Sequence, residues 1–430
     1  MHPMFQHVLV PGLATALLLQ AAPVLAQTPA VLAGAACPAV NPPLTLADAQ
    51  RQAHDNNPTL SAARHELAAT DGALQQAGAW PNPTFSMELE DTKKATRTTT
   101  YTLSQTLELG GKRGARVAAA RLGQDAARSQ LVAREAGLRA DVAQAWFEVL
   151  HSRQRLALAL QSADLAERMS DTTRRRVQAG KLSPVEQTRS RVAASSARLE
   201  VNQAESDARI SGHKLATLLG RTSPCVGEAQ GDGAVLPPLP QIADVVRLAA
   251  AAPSVRLAGI EVDRNKALAD IESSKRIPDL TVSLGNKRDE EAARNMTVIG
   301  VSLPLPLFDR NQGNLLEALR RTDRARDELV AAELQAQSTA AEGYETLRNA
   351  RAEAQALQQD VLPAAQQAYE AAARGFELGK FGFTEVLDAQ RTLFQTQTQY
   401  LRALSAAHRA AASLEALLGT ELARLPGAGQ

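Results

Sequence analysis

Aromatic side chains are scarce in this chain: Phe, Tyr and Trp make up 3% of its 430 residues. Whatever core it has must close mainly through smaller side chains. Charge of one sign is missing as well. Lys and Arg number 47 against 46 Asp and Glu, a net charge of +1, so no field draws the chain to nucleic acid or to acidic partners. Only two cysteines occur, Cys37 and Cys225, enough for one disulfide and no more. Histidines stand singly at His54, His65, His151, His213 and His408, without the His-x-x-x-His or His/Cys clusters of a metal site. There is no phosphate-binding glycine loop and no nucleophile elbow; "LELGGKRG" has the residues of the former at the wrong spacing. No enzyme and no cofactor is expected. Beyond the N-terminus no segment reaches the ~18 consecutive apolar residues of a membrane helix. If the chain enters a membrane, it must do so with strands.

The N-terminus reads as an export signal over residues 1–26. Val8 to Leu19 is a short apolar run, and Val24-Leu25-Ala26 offers a cleavage site before Gln27. The signal is atypical in charge, since the first Lys or Arg is Arg51. A lipoprotein signal would use Cys37, but Gly34 stands where that motif wants Leu. Both cysteines lie in Pro-containing stretches that flank the first half of the chain. A Cys37–Cys225 bridge would tie the N-terminal arm, 27–43, to the linker at 222–240; two unrelated thiols are the alternative.

What the chain has in quantity is Ala, Leu, Gln, Arg and Glu, the composition of long helices packed closely. It also has itself twice. "QAGKLSPVEQ" around Gly180 returns as "ELGKFGFTEV" around Gly379, 199 positions later. "AWPNPTFSMEL" matches "RIPDLTVSL", with Pro278 at 197 positions from Pro81, and "TLSQTLELGGKR" matches "GVSLPLPLFDRN", with Ser302 at 198 from Ser104. This is a tandem duplication far longer than a solenoid period: repeat 1 at 44–221, repeat 2 at 241–419, and a tail at 420–430.

Each half has one order. A short helix ends near Asn57-Pro58 or Ala252-Pro253, where proline disfavours helix before it. A second helix runs to Pro81 or Pro278. Two strands follow, at about 83–91 and 99–109, then at about 279–286 and 296–305. A very long helix, about 65 residues or ~100 Å, reaches a turn at about 178–184 or 377–384, with Pro363 expected to kink the second one. A return helix follows. Leu131, Leu138, Val142, Ala145, Val149 and Leu156 recur in sevens, threes and fours, a coiled-coil seam. The strands alternate sharply: Phe85, Met87 and Leu89 against Thr84, Ser86 and Glu88; Leu280, Val282 and Leu284 against Thr281 and Ser283. That alternation suits a membrane barrel and equally an antiparallel sheet with one wet face. Four strands cannot close a barrel, so several chains would have to contribute.

At the turns, Gly180 and Gly379 close the long helices and Ser183 and Thr384 are candidate caps for the return helices. Glu186 and Glu385 fall in the first turn of those helices. Two well-capped hairpins are a complete account; a tip ~100 Å from the strands is also a natural docking point. The ordered, duplicated set of turns and strand exits resembles the TolC-like outer-membrane efflux duct family, over about Leu44 to Leu418. "SQTLELGGKR" and "LPLPLFDRNQGNL" are most similar to outer-membrane components of cobalt–zinc–cadmium-type cation efflux systems.

The resemblance implies a mainly α protein with a small β part. It implies a homotrimer whose strands form one 12-stranded barrel in outer-membrane lipid and whose helices form a periplasmic α-barrel. The hairpin tips, with Gly180, Lys181, Ser183, Gly379, Lys380 and Thr384, would dock a periplasmic adaptor coupled to an inner-membrane, proton-driven RND pump. In the family, acidic residues after the second turn ring the entrance; Glu385 and Asp388 match them, one helix face apart by three positions. Phe376 and Phe381 stand where the family's best-known member has a Tyr and an Arg that lock the entrance, while the acidic partner Glu186 is kept. Apolar closure by the two Phe is the expectation here. Multidrug or type I secretion ducts share the architecture. From a different class, a periplasmic coiled-coil adaptor or spacer also uses long hairpins, though without two amphipathic strand pairs.

Overall fold

The computed structural model describes residues 43–91, 93–223, 227 and 229–425. The expected signal segment, both cysteines and the end of the tail lie outside the described residues. All described residues belong to one unit, residues 39–430.

Repeat 1 opens with α1 (Leu46–Asn56) and α2 (Pro58–Ala77), separated by a single residue. Pro58 sits at the start of α2, where its missing N–H removes nothing. Asn57 performs the capping: its Oδ1 accepts from the N–H groups of Thr59 and Leu60 at 2.9 and 3.2 Å, and its Nδ2 donates to Leu218 O at 3.0 Å. Strands β1 (Thr84–Glu90) and β2 (Thr98–Leu107) follow, then α3 (Lys112–Gln178) and α4 (Pro184–Leu218). Repeat 2 runs α5 (Ile242–Ala249), α6 (Pro253–Ser274), β3 (Leu280–Asp289), β4 (Arg294–Ser302), α7 (Gln312–Ala356), α8 (Leu362–Glu377) and α9 (Phe383–Leu418).

The first long helix is unbroken for 67 residues, ~100 Å at 1.5 Å per residue. The second is interrupted by a π turn at Leu357–Val361, which ends two residues before Pro363. Proline has no N–H to give the carbonyl four residues back and its ring clashes with that carbonyl. One wider turn relieves both problems without ending the helix.

The four strands form one antiparallel sheet in the order β1-β2-β3-β4. One row across it reads Phe85, Leu103, Leu284, Ile299, and all four side chains are exposed. The row one residue earlier along β2 reads Ser86, Thr102, Gly285, Val298. The sheet therefore carries an apolar face that nothing among the described residues covers. Among the described residues the outer edges of β1 and β4 have no strand partner.

The helices pack through small residues, which explains why so few aromatics suffice. Along α3 the buried positions include Ala119, Ala126, Ala136, Ala140, Ala143, Ala159, Ala163 and Ala166. Of the expected leucine-rich seam, Val142 and Val149 are buried, while Leu131, Leu138, Ala145 and Leu156 are only half-buried. Alanine lets two backbones approach closely, so the line of closest contact runs through it and the larger leucines are displaced to its flank. Two equivalent cores close the halves. Trp146, Val149, Leu215 and Leu219 pack with α1; Leu347, Leu414 and Leu418 pack with α5. Each fully buried leucine contributes roughly 1.5–3 kcal/mol.

Candidate functional site

The two hairpin tips are built alike. Gly180 and Gly379 have φ of 72° and 71°, the left-handed region that glycine enters without strain. Lys181 N donates to Arg176 O at 2.8 Å and Gly180 N to Val177 O at 2.9 Å. In the second tip Lys380 N donates to Gly375 O at 2.8 Å and Gly379 N to Phe376 O at 3.1 Å. Both are Schellman closures, with the glycine just past the last helical turn. Lys181 and Lys380 are exposed at the apices.

The return helices start differently. Ser183 is the N-cap of α4 and accepts from Val185 N at 3.3 Å. Thr384 was the matching expectation, but α9 begins at Phe383 with Gly382 as its N-cap, so Thr384 already lies inside the helix. Its hydroxyl instead meets Arg189 of the first hairpin at 3.5 Å. The Glu385 carboxylate folds back over Gly382, so that a carbon added there would meet Oε2 at 2.7 Å. Glu385 and Asp388 are both exposed, and between them Val386 turns into the tip core. The two carboxylates therefore share the face directed away from the chain's own packing.

Phe376 and Phe381 have different roles. Phe376 is 5% exposed, packed with Ala372, Val386, Met169 and Tyr369. The Arg176 guanidinium lies 4.2 Å from its ring centroid, a cation–π contact that joins the two hairpins. Phe381 is half exposed and lies so tightly on Gly375 that any side chain at 375 would collide with it. Phe376 thus closes the tip from within the chain, while Phe381 keeps half its surface exposed. Glu186 reaches Arg189 at 3.5 Å through Oε1. Its Oε2 is buried and accepts no hydrogen bond among the described residues.

A second cluster was not foreseen. His151 of α3 and His408 of α9 are 1% and 6% exposed. Both Nε2 atoms point at one linker carbonyl, Gly233 O, at 3.4 and 3.3 Å. Phe147 stacks on His408 with ring centroids 3.5 Å apart. Burial, reinforced by the charge of His151, pushes the His408 pKa down to about 4, and burial lowers that of His151 as well. Both rings are neutral at pH 7, and each can donate from Nε2 to one lone pair of the carbonyl. Nearby, Trp146 Nε1 donates to Leu44 O at 3.0 Å and packs against Gly231, and Arg351 donates to Pro237 O. These contacts fasten the linker to α3, α7 and α9; among the described residues no three His, Cys, Asp or Glu side chains gather as a metal site. The only signal in the sequence was negative: these histidines have no counterpart in the other repeat.

Paired helical hairpins on a four-stranded antiparallel sheet with an exposed apolar face define the TolC-like fold of outer-membrane channels. The chain belongs to the outer membrane efflux protein family, whose model matches residues 49–221 and 245–420, one segment per repeat. It lies in the outer membrane and serves efflux. It is 44% identical over 377 residues to the cobalt-zinc-cadmium resistance protein CzcC of Cupriavidus metallidurans, covering 88% of this chain and 90% of that one. The fold is similar to crystal structures of CusC (TM-score 0.74, 20% identity, 87% of this chain and 92% of that chain). It is also similar to the outer membrane protein VceC from Vibrio cholerae (TM-score 0.73, 19% identity, 87% and 96%).

Proposed function

We propose that this protein is the outer-membrane duct of a tripartite exporter of divalent heavy-metal cations such as cobalt, zinc and cadmium. Three copies form one 12-stranded barrel in outer-membrane lipid and one helical barrel below it. The tips around Gly180, Lys181, Ser183, Gly379, Lys380 and Thr384 meet a periplasmic adaptor, which couples the duct to an inner-membrane RND pump. The observation that carries the cargo is the 44% identity to a cobalt-zinc-cadmium resistance protein along nearly the whole of both chains. Family membership alone would leave multidrug export equally open.

At the closed end, Glu385 and Asp388 present paired carboxylates from each copy, six in the assembly. Crowded carboxylates attract cations and hold them loosely enough to let them pass. Phe381 narrows the aperture between copies, and Glu186, Arg189 and Thr384 join the two hairpins of one copy. The duct itself binds nothing tightly and catalyses nothing; selection lies in the pump.

The test is growth of a deletion strain on zinc, cobalt, cadmium, nickel, copper and silver beside a panel of organic drugs, with complementation by the wild type. Sensitivity confined to divalent metals supports the reading. Sensitivity confined to drugs overturns the cargo and leaves the duct. For the gate, Glu385→Gln with Asp388→Asn in planar bilayers is expected to lower cation over anion selectivity several-fold. Unchanged selectivity would remove these residues from the aperture.

A further inference from the structure

The chain contains within itself the interface that its neighbour needs. In repeat 1, Thr84 pairs with Ser104; in repeat 2, Thr281 pairs with Ser302. These are the positions that the duplication relates, 197 apart in the first strand of each hairpin and 198 in the second. The two hairpins are thus the same object in the same register. Between them, β2 of the first lies against β3 of the second, with Gln105 opposite Val282, Leu103 opposite Leu284 and Tyr101 opposite Asn286. By the same relation β4 stands to the β1 of a following copy as β2 stands to β3. We propose that β4 pairs antiparallel with β1 of a second copy in one register: Leu303 opposite Phe85, Val301 opposite Met87, Ile299 opposite Leu89. This rests on the three-copy reading above and adds to it which residues meet.

Two independent observations agree with that register. First, each transferred pair is apolar against apolar. Phe85 and Ile299 already end one row of the exposed apolar face, so the face runs on across the junction. A one-residue slip would set Val301 against Ser86 or Glu88 and turn every side chain to the wrong face. Second, the barrel closes at an ordinary tilt. Crossing the sheet along paired residues leads from Thr84 to Ser104, Ser283 and Gly300. The proposed junction then leads to Glu88 of the next copy, four residues further along β1. At ~3.3 Å per residue and ~4.8 Å between strands this is a strand tilt of about 35°, within the range of outer-membrane barrels. Slips of two residues keep the faces but give about 19° in one direction and about 46° in the other.

Below the strands the same relation accounts for the most exposed apolar residues. Ile277 packs against Gly110, where an added carbon would come within 2.8 Å of its Cβ, and Asp279 receives Lys112 Nζ at 2.6 Å and Leu109 N at 3.1 Å. Trp80 is the repeat 1 equivalent of Ile277; the Arg113 guanidinium lies 4.8 Å from its ring centroid, and among the described residues no strand exit covers it, so it stays 60% exposed. The β4 exit that would reach it is longer than the β2 exit, since the left-handed helix cap moves from Gly111 to Asn311, 200 positions on rather than 198. The added length exposes Leu305, Leu307 and Phe308, the last at 91%. These side chains cover Trp80 of the next copy.

The test is disulfide trapping in the full chain, in outer membranes, with Cys37→Ser and Cys225→Ser as background. Directly opposed residues have Cα atoms ~4.5–5.5 Å apart, inside disulfide reach, whereas two-residue diagonals at ~7–8 Å are outside it. Met87→Cys with Val301→Cys should yield linked trimers roughly tenfold more efficiently than Met87→Cys with Ile299→Cys or with Leu303→Cys. Leu89→Cys with Ile299→Cys reads the same register should the first pair fail to assemble. Trimers by light scattering in detergent with trapping strongest in a slipped pair, or in none, would overturn the register while leaving the three-copy reading intact. Absence of trimers in the unsubstituted protein would overturn the three-copy reading and this inference with it.

Discussion

In the first repeat a single helix runs unbroken from Lys112 to Gln178, while its counterpart in the second is made of α7, a π turn and α8. The first return helix has a serine cap; the second starts at a glycine. Asn57 caps α2 through two hydrogen bonds and donates a third to Leu218 O of α4, whereas Ala252, in the same place before α6, offers no side-chain cap. Both copies of the plan hold their Schellman glycines, their strand register and their two cores. The halves diverge where something exists only once, above all at the linker. His151, Arg351 and His408 hydrogen-bond to it and Trp146 packs against its Gly231, and a single linker cannot be gripped symmetrically by two identical halves. Duplication conserves what a hairpin needs to fold and frees what a neighbour must meet.

The sharpest break of that comparison is through pH. The folded pKa of His408 is depressed from 6.5 to about 4, so the folded state resists a proton that the unfolded chain accepts. Stability from this group is complete above pH 6.5 and is lost as pH falls toward 4, by about 3 kcal/mol in all. His151 acts in the same direction. The charged groups acting on His151 are Glu148 and Arg155, both from α3, and Arg409 of α9 reaches the same Glu148 carboxylate at 3.9 Å. The denaturation midpoint of the wild type should fall between pH 7 and pH 4.5 by more than that of His408→Phe, which keeps the stack on Phe147 and cannot titrate. Equal slopes would mean that the linker is held by Trp146 and Arg351 alone.

Much of this architecture was readable before any coordinates. Period-2 alternation marked four strands because one face of each meets an apolar phase, and that demand is written at every second residue. Gly180 and Gly379 marked the tips because a left-handed closure admits few other residues. The failures have a common cause. Leu131 and Leu156 looked like seam positions, but the seam belongs to the alanines, and hydrophobicity does not reveal which apolar residue sits on the contact line. Thr384 looked like a cap because Ser183 is one, yet the second helix begins a residue earlier. His151 and His408 meet only through a linker whose path no local pattern encodes.

Asn57→Ala carries the next largest effect. It removes two acceptor contacts to the start of α2 and leaves Leu218 O without its donor, at a cost of about 2 kcal/mol. Chemical denaturation should show the loss; a cost below ~0.5 kcal/mol would mean that α2 is held by packing, as α6 is. Pro363→Ala works in the opposite sense. If proline is what separates α7 and α8 from the continuous α3, restoring an N–H should stabilise the chain by about 1 kcal/mol, less than the ~3 kcal/mol of an unrelieved helical proline because the π turn already absorbs the clash. No gain would assign the π turn to packing of Leu357, which is buried against α9.

The smallest effect tests the tips themselves. Ser183→Ala should loosen the first tip by about 1 kcal/mol, and Gly382→Ser should tighten the second by only a few tenths, because glycine is already a fair N-cap. Limited proteolysis at the two turns reads each change locally, where global unfolding would not register it. The informative outcome is a Gly382→Ser variant with no gain at all. The Glu385 carboxylate already lies over Gly382, and if it occupies the place a serine hydroxyl would take, the cap is supplied from inside the helix. Glu385→Ala would then expose the second turn to protease much as Ser183→Ala exposes the first. In that case one of the two carboxylates proposed for the entrance is also the one that holds the tip in shape, and the proposed action on cations falls to Asp388, three residues on.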